Sequence, residues 1–149
     1  MSRAAGILMP ITSLPGKYGI GCFSKEAYAF IDWLKEAGQT YWQILPIHPT
    51  SYGDSPYQSF STFAGNPYFI DLEELIEEGM LTREECDSMD FGDDEDDIDY
   101  EDQYQNRYIL LTMAYERSNI SQNPDYQRFV EENRWWLDDY ALFMALKNF

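Results

Sequence analysis

The sequence predicts an α/β fold whose second half turns mainly helical. Two short apolar runs, Gly6–Ile11 and Tyr41–Ile47, flank one amphipathic stretch, and from Leu81 onward apolar residues recur at helical spacing. A strand, a helix and a second strand in that order make a βαβ unit, and its right-handed crossover requires the two strands to be parallel. The expected organisation is therefore a β/α portion over residues 1–80 and a helical region over 81–149.

The first strand is expected over Gly6–Ile11, where Pro10 removes a ladder donor. Pro15, Gly16, Gly19 and Gly21 then crowd into one short segment, which marks a loop needing unusual backbone angles. Ser24 is positioned to cap a helix over Lys25–Ala37 that carries Ala27, Phe30, Ile31 and Leu34 on one face and stops at Gly38. After the second strand no period holds from His48 to Pro67. Loops this long are functional or disordered, and the aromatics here argue for order.

Asn66 or Asp71 is expected to cap a short helix over Leu72–Glu78 that ends at Gly79. Thr82 with Glu85 fits a capping box for a helix over Arg83–Met89. The unbroken acidic run at 93–97 invites comparison with a calcium loop. With Gly92 as its sixth position, however, Met89, Phe91 and Ile98 fall where ligands belong, so a solvated acidic loop is expected instead. Two amphipathic helices follow, over Asp102–Arg117 and Asp125–Lys147, separated by the breaker SNISQNP. Tyr104, Tyr108, Leu111 and Tyr115 are expected on the core face of the first; Phe129, Trp135, Trp136, Tyr140, Phe143 and Met144 are expected on that of the second.

The balance of charge narrows the partners. A formal charge of -17 repels phosphate backbones and anionic lipid surfaces, so nucleic acid and membranes are not expected. The apolar stretch GILMPI is too short for a signal-peptide core or a spanning helix, which makes the cytoplasm the default location. Cys22 and Cys86 stand far apart without a CxxC spacing and read as reduced thiols, and no metal or other cofactor is expected. His48, the one histidine, ends the second apolar run and is expected to hold the loop rather than act as a base.

The loop itself gathers Tyr52, Asp54, Ser55, Tyr57, Gln58, Ser59, Ser61 and Asn66. Sugars ask for this mixture, because their C–H faces lie on aromatic rings while hydroxyls pair with carboxylates and amides. Four ordered blocks sharpen that expectation: Gly6-Ile-Leu with TSLPG and Gly19-Ile-Gly21, then Trp42-Gln-Ile-Leu-Pro46, then GDSPYQ from Gly53, then FAGNP from Phe63. Together they resemble the amylomaltase (4-α-glucanotransferase) family, densely from Arg3 to about Leu75.

That resemblance implies a fold, the start of an eight-fold (β/α) barrel with strand one at Gly6–Ile11 and strand two at Gln43–Ile47. It also implies an activity, transfer of α-1,4-glucan segments between maltooligosaccharides with retained configuration. Barrel active sites sit at the C-terminal ends of strands, where this loop emerges. By the family pattern Tyr57 faces the sugar next to the reacting bond, Asp54 and Ser55 with Gln58 shape that end of the cleft, and Tyr52 stacks on glucan at an accessory position. The three carboxylates of the family reaction are not matched by motifs here and are expected beyond Phe149, so the 149 residues alone are expected to be inactive. A stand-alone α-glucan-binding or protein-interaction module is the competing expectation. Oligomeric state is not legible.

Overall fold

The computed structural model describes residues 3–94 and 96–147. Strand β1 (Gly6–Leu8) pairs in parallel with β2 (Tyr41–Gln43), with Gly6 beside Tyr41, Ile7 beside Trp42 and Leu8 beside Gln43. One further rung is added by Met9 N–H, which donates to the Gln43 carbonyl at 3.0 Å. Both strands are shorter than their apolar runs. Pro10 cannot donate, and Ile11–Ser13 closes into a 3₁₀ turn, so β2 has no partner past that point and residues after Gln43 leave the ladder. Gly6 is required by proximity: a Cβ there would lie 2.5 Å from the Tyr41 carbonyl oxygen.

Helix α1 (Lys25–Glu36) crosses between the strands. Ser24 occupies its N-cap position, but the hydroxyl donates to Glu26 Oε2 at 2.7 Å and makes no side-chain cap, contrary to expectation. Ala27 and Leu34 are buried, while Ala27 joins Ile11, Leu14 and Phe69 in one cluster with Phe30 and Trp42 packed against it. Ile31 is exposed, so the buried face of α1 is narrower than its sequence suggested. The Trp42 indole donates to the Met9 carbonyl at 2.8 Å and meets Phe30 edge-on, which locks helix to sheet.

Both expected caps are used, each for its own turn. Asn66 accepts from Tyr68 N–H at 3.0 Å over a 3₁₀ turn (Pro67–Phe69), and Asp71 accepts from Glu73 N–H at 3.0 Å to open α2 (Leu72–Glu77). The capping box of α3 (Arg83–Asp87) is complete: Glu85 N–H donates to Thr82 Oγ1 at 3.2 Å, and Thr82 N–H donates to Glu85 Oε2 at 2.8 Å. That helix stops before Met89.

In the acidic segment the carboxylates serve their own backbone. Asp90 accepts from Gly92 N–H, Asp94 from Asp96 N–H and Asp99 from Asp102 N–H. A helical stretch then begins with α4 (Tyr100–Asp102), widens into a π turn (Gln103–Arg107) and continues as α5 (Tyr108–Arg117). Its buried line is Gln103, Arg107, Leu110 and Ala114, and the predicted tyrosine face is corrected: Tyr104 and Tyr115 are 51% and 64% exposed. The inward face is set one position away because Gln103 and Arg107 find backbone carbonyl partners on distant segments, which hydropathy spacing does not register.

The main core joins Tyr18, Leu72, Leu81, Cys86, Phe91, Leu110 and Ala114, drawn from both sides of residue 80. Helix α6 (Pro124–Lys147) lies outside it. None of its described residues is buried, so the expected core face is a half-covered one, with Trp135 at 68% exposure. Among the described residues no helix is long and apolar enough to cross a membrane. Cys22 and Cys86 are both buried free thiols, and burial pushes the Cys22 thiol up to about 11.

Candidate functional site

The loop after β2 is built by its own short-range hydrogen bonds. Thr50 and Ser59 form an isolated antiparallel bridge that pinches the segment between them. Inside it, Asp54 N–H donates to the Ser51 carbonyl and Gln58 N–H to the Ser55 carbonyl, each at 3.0 Å. The Ser61 hydroxyl oxygen accepts from Phe63 N–H at 3.3 Å and Ala64 N–H at 3.1 Å, and Asn66 N–H returns the chain to the Ile47 carbonyl at 2.9 Å. His48 Nδ1 lies 3.4 Å from the Ala64 carbonyl oxygen, a contact within the loop.

Reversing the chain so tightly takes two consecutive left-handed residues, Gly53 at φ 97° and Asp54 at φ 54°. Asp is among the few side-chain-bearing residues that visit this region. The bend turns the half-buried Asp54 carboxylate inward, where Thr50 Oγ1 stands 3.5 Å from Oδ1 and burial raises its pKa. A small cavity of about 90 Å³ lies there, lined by Asp54 and Pro56 together with Thr12, Asn66, Tyr68 and Tyr100. It sits just past the C-terminal ends of β1 and β2.

The five candidate residues are thus divided. Asp54 faces the cavity, and the Ser55 hydroxyl oxygen accepts from Tyr57 N–H at 3.4 Å and so supports the turn. Tyr57 is 72% exposed, Tyr52 is fully exposed and Gln58 is exposed, so these three present their side chains to solvent outside the cavity. Asn66 is buried as a turn brace.

Tertiary structure adds Tyr68, for which the sequence suggested no role, and brings in Tyr104, Tyr108 and Met144, which sequence spacing assigned to helix packing. Tyr68, Tyr104 and Tyr108 line a groove of about 600 Å³ with Phe60, Met144 and Lys147, running from the loop between α5 and α6. Burial raises the Tyr68 phenol and pushes Tyr108 to about 12, so both remain neutral hydroxyls near pH 7. The available signal for Tyr104 and Tyr108 was a tyrosine at every fourth residue from Tyr100 to Tyr108, one continuous stripe on a helix. Beside the groove, Phe63 packs against Trp135 and Trp136 with ring centroids 4.7 and 5.7 Å away, and Lys147 Nζ lies 4.4 Å over Phe60.

An aromatic loop with inward and outward polar groups, mounted at the C-terminal ends of a parallel strand pair, is the arrangement of a β/α protein with a ligand cleft at that end. Residues 9–149 match a family model described as 4-alpha-glucanotransferase. The chain is 52% identical over 139 residues to a 4-alpha-glucanotransferase of Clostridium butyricum, a match covering 93% of this chain and 28% of that protein. It is 48% identical over 151 residues to the enzyme of that name from Thermus thermophilus, covering 99% and 29%. Among solved structures, the amylomaltase of Streptococcus agalactiae in complex with acarbose superposes with a TM-score of 0.88 at 44% identity, covering 99% of this chain and 30% of that one.

The chain belongs to the 4-alpha-glucanotransferase family. It spans under a third of the length of the relatives it matches.

Proposed function

We propose that this chain forms one wall of the glucan cleft of a 4-α-glucanotransferase, which moves α-1,4-glucan segments between maltooligosaccharides in starch, glycogen or maltodextrin metabolism. In this reading β1 and β2 are the first two strands of an eight-fold β/α barrel, residues 1–80 supply the cleft wall, and 81–149 form a helical region that braces it. A cytoplasmic location belongs to the same proposal.

The chemistry is a retaining double displacement. One carboxylate attacks the anomeric carbon while a second protonates the departing sugar oxygen; an acceptor hydroxyl, giving its proton to the second carboxylate, then displaces the first and restores the configuration. The carboxylates for those steps belong to other parts of the complete polypeptide. This chain's residues bind and orient. The Tyr57 ring offers a flat face to the sugar beside the reacting bond, Asp54 and Ser55 with Gln58 hold its hydroxyls, and Tyr52 stacks on glucan farther out.

The observation that carries this reading is the left-handed turn at Gly53 and Asp54, which leaves Tyr52 and Tyr57 exposed while Asp54 faces the cavity. Exposed tyrosine rings on an ordered loop offer flat faces on which the C–H face of a sugar can lie. Incubating the complete polypeptide with maltotriose should yield glucose together with longer maltooligosaccharides, and the 149 residues alone should yield neither. Absence of both products from the complete polypeptide would sink the proposal.

A further inference from the structure

The π turn at Gln103–Arg107 places two polar side chains in the core, one turn apart on the inward face. Gln103 and Arg107 are 0% and 1% exposed. Gln103 Nε2 donates to the Tyr18 carbonyl at 2.7 Å, and Gln103 Oε1 accepts from Arg107 Nη1 at 3.2 Å. Arg107 Nη2 in turn donates to the Ile70 carbonyl at 2.7 Å. The result is a continuous chain of hydrogen bonds from Tyr18 to Ile70 through the middle of the molecule.

Filling space does not call for this pair. A buried guanidinium is costly, and among the described residues this one makes no ion pair and its Nε has no hydrogen-bond partner. Apolar residues of similar volume at such positions are often neutral or stabilising. What polar groups supply instead is direction, because each bond fixes where a backbone carbonyl sits.

The two carbonyls lie on the segments that frame the cavity beside Asp54. Tyr18 belongs to the glycine-rich loop that begins at Thr12, a cavity residue, and Gly21 N–H donates back to the Thr12 carbonyl at 3.1 Å. Ile70 follows directly on Phe69, which lines the same cavity with Asn66 and Tyr68. Next to Tyr18, Gly19 takes φ 72°, and a Cβ there would come within 2.3 Å of the Phe91 carbonyl oxygen and 2.7 Å of Gln103 Nε2, so the loop rests on both Phe91 and this glutamine. Its other anchor is the Tyr18 hydroxyl, which donates to Glu73 Oε1 at 3.1 Å.

We propose that Gln103 and Arg107 are positioning residues that set the separation of the two backbone walls beside Asp54 and thereby the fit of glucan in the cleft. The proposal rests on the functional reading above for its ligand. Neither residue touches the sugar. They act through the carbonyls of Tyr18 and Ile70.

The decisive variant is Gln103→Glu in the complete polypeptide, which keeps the volume and gives Arg107 a carboxylate but withdraws the donor from the Tyr18 carbonyl. The expected result is a KM for maltotriose raised about tenfold, the loss that one misdirected buried hydrogen bond produces. Arg107→Met should raise KM similarly, and Arg107→Lys should restore part of it by reaching one carbonyl. Amide exchange should quicken over 12–21 in Gln103→Glu and stay unchanged in α2.

A purely structural role would lower kcat with the folded fraction and leave KM alone. That outcome in Gln103→Glu overturns the proposal even if Arg107→Met fails to fold. If the unsubstituted polypeptide turns over no maltotriose, the functional reading falls separately, and unchanged exchange over 12–21 in Gln103→Glu then overturns the brace on its own.

Discussion

Arg83 and Glu73 meet in a two-pronged ion pair, Nη1 to Oε1 at 2.8 Å and Nη2 to Oε2 at 2.7 Å, which ties the start of α3 to the first turn of α2. The same carboxylate accepts from the Tyr18 hydroxyl, so one side chain gathers the glycine-rich loop and both helices. Beyond it Lys17 pairs with Asp87 at 2.7 Å. A second forked pair, Arg117 with Glu85, fastens α5 to α3.

This arrangement makes stability depend on pH in a defined window. The Arg83 guanidinium, foremost, holds Glu73 at about 2 against an ordinary 4.5, and Arg117 holds Glu85 equally low. A carboxylate depressed in the folded state contributes stability that is complete above 4.5 and is lost as pH falls toward 2. Arg83→Gln should therefore lower Tm near neutrality, with the deficit closing below pH 4.5. Thermal melts across that range check this, and a deficit equal at every pH would count against it. Because the pair is partly exposed, molar salt should shrink the effect.

Asp54 offers a test that separates backbone from side chain. Its φ of 54° is tolerated by Asn and Gly but costs other residues about 1 kcal/mol. Asp54→Ala should lose roughly that much stability in a denaturant melt, whereas Asp54→Asn should melt like the unsubstituted protein. If the carboxylate holds a sugar hydroxyl, both substitutions should weaken glucan transfer. Asp54→Asn with undiminished transfer would limit Asp54 to shaping the turn.

Tyr57 should separate the other way. Its ring is 72% exposed and only its backbone N–H bonds within the loop, so Tyr57→Ala should leave the melting transition in place. Loss of one stacked ring corresponds to about 1.4 kcal/mol, or tenfold in kcat/KM for maltooligosaccharide. Unchanged catalytic efficiency would remove Tyr57 from the site.

Phe63 couples the loop to α6 through Trp135 and Trp136. With each aromatic pair worth about 1 kcal/mol, Phe63→Ala should loosen the middle of α6 from the loop and shift tryptophan emission to the red while the Leu72–Leu110 core stays folded. Emission identical to that of the unsubstituted protein would show that the contact is not maintained in solution.

Much of the local structure was legible because short-range rules determine it. The capping box at Thr82 and Glu85, the stop at Gly38 and the parallel pairing across α1 depend on neighbours within a few residues, or on chain handedness. The strand ends were overrun, since a run of apolar residues does not reveal where the partner strand stops. The face of α5 was misjudged for a related reason. Hydropathy spacing favours tyrosine and leucine, yet Gln103 and Arg107 turn inward because carbonyls from distant segments wait there.

The site divides in the same way. By itself the sequence determined the family, the βαβ start and the loop that carries Tyr52, Asp54, Ser55, Tyr57 and Gln58, since these are written in contiguous blocks. Only the tertiary structure decided that Asp54 faces a cavity while Tyr52 and Tyr57 face solvent, that Tyr68 and Tyr108 join the groove, and that α6 packs on Phe60 and Phe63 of the loop without being buried. The physical reason is that burial and orientation are properties of contacts between segments far apart in sequence. A left-handed residue at 54 or a carbonyl at 70 acquires its meaning only when another part of the chain arrives beside it.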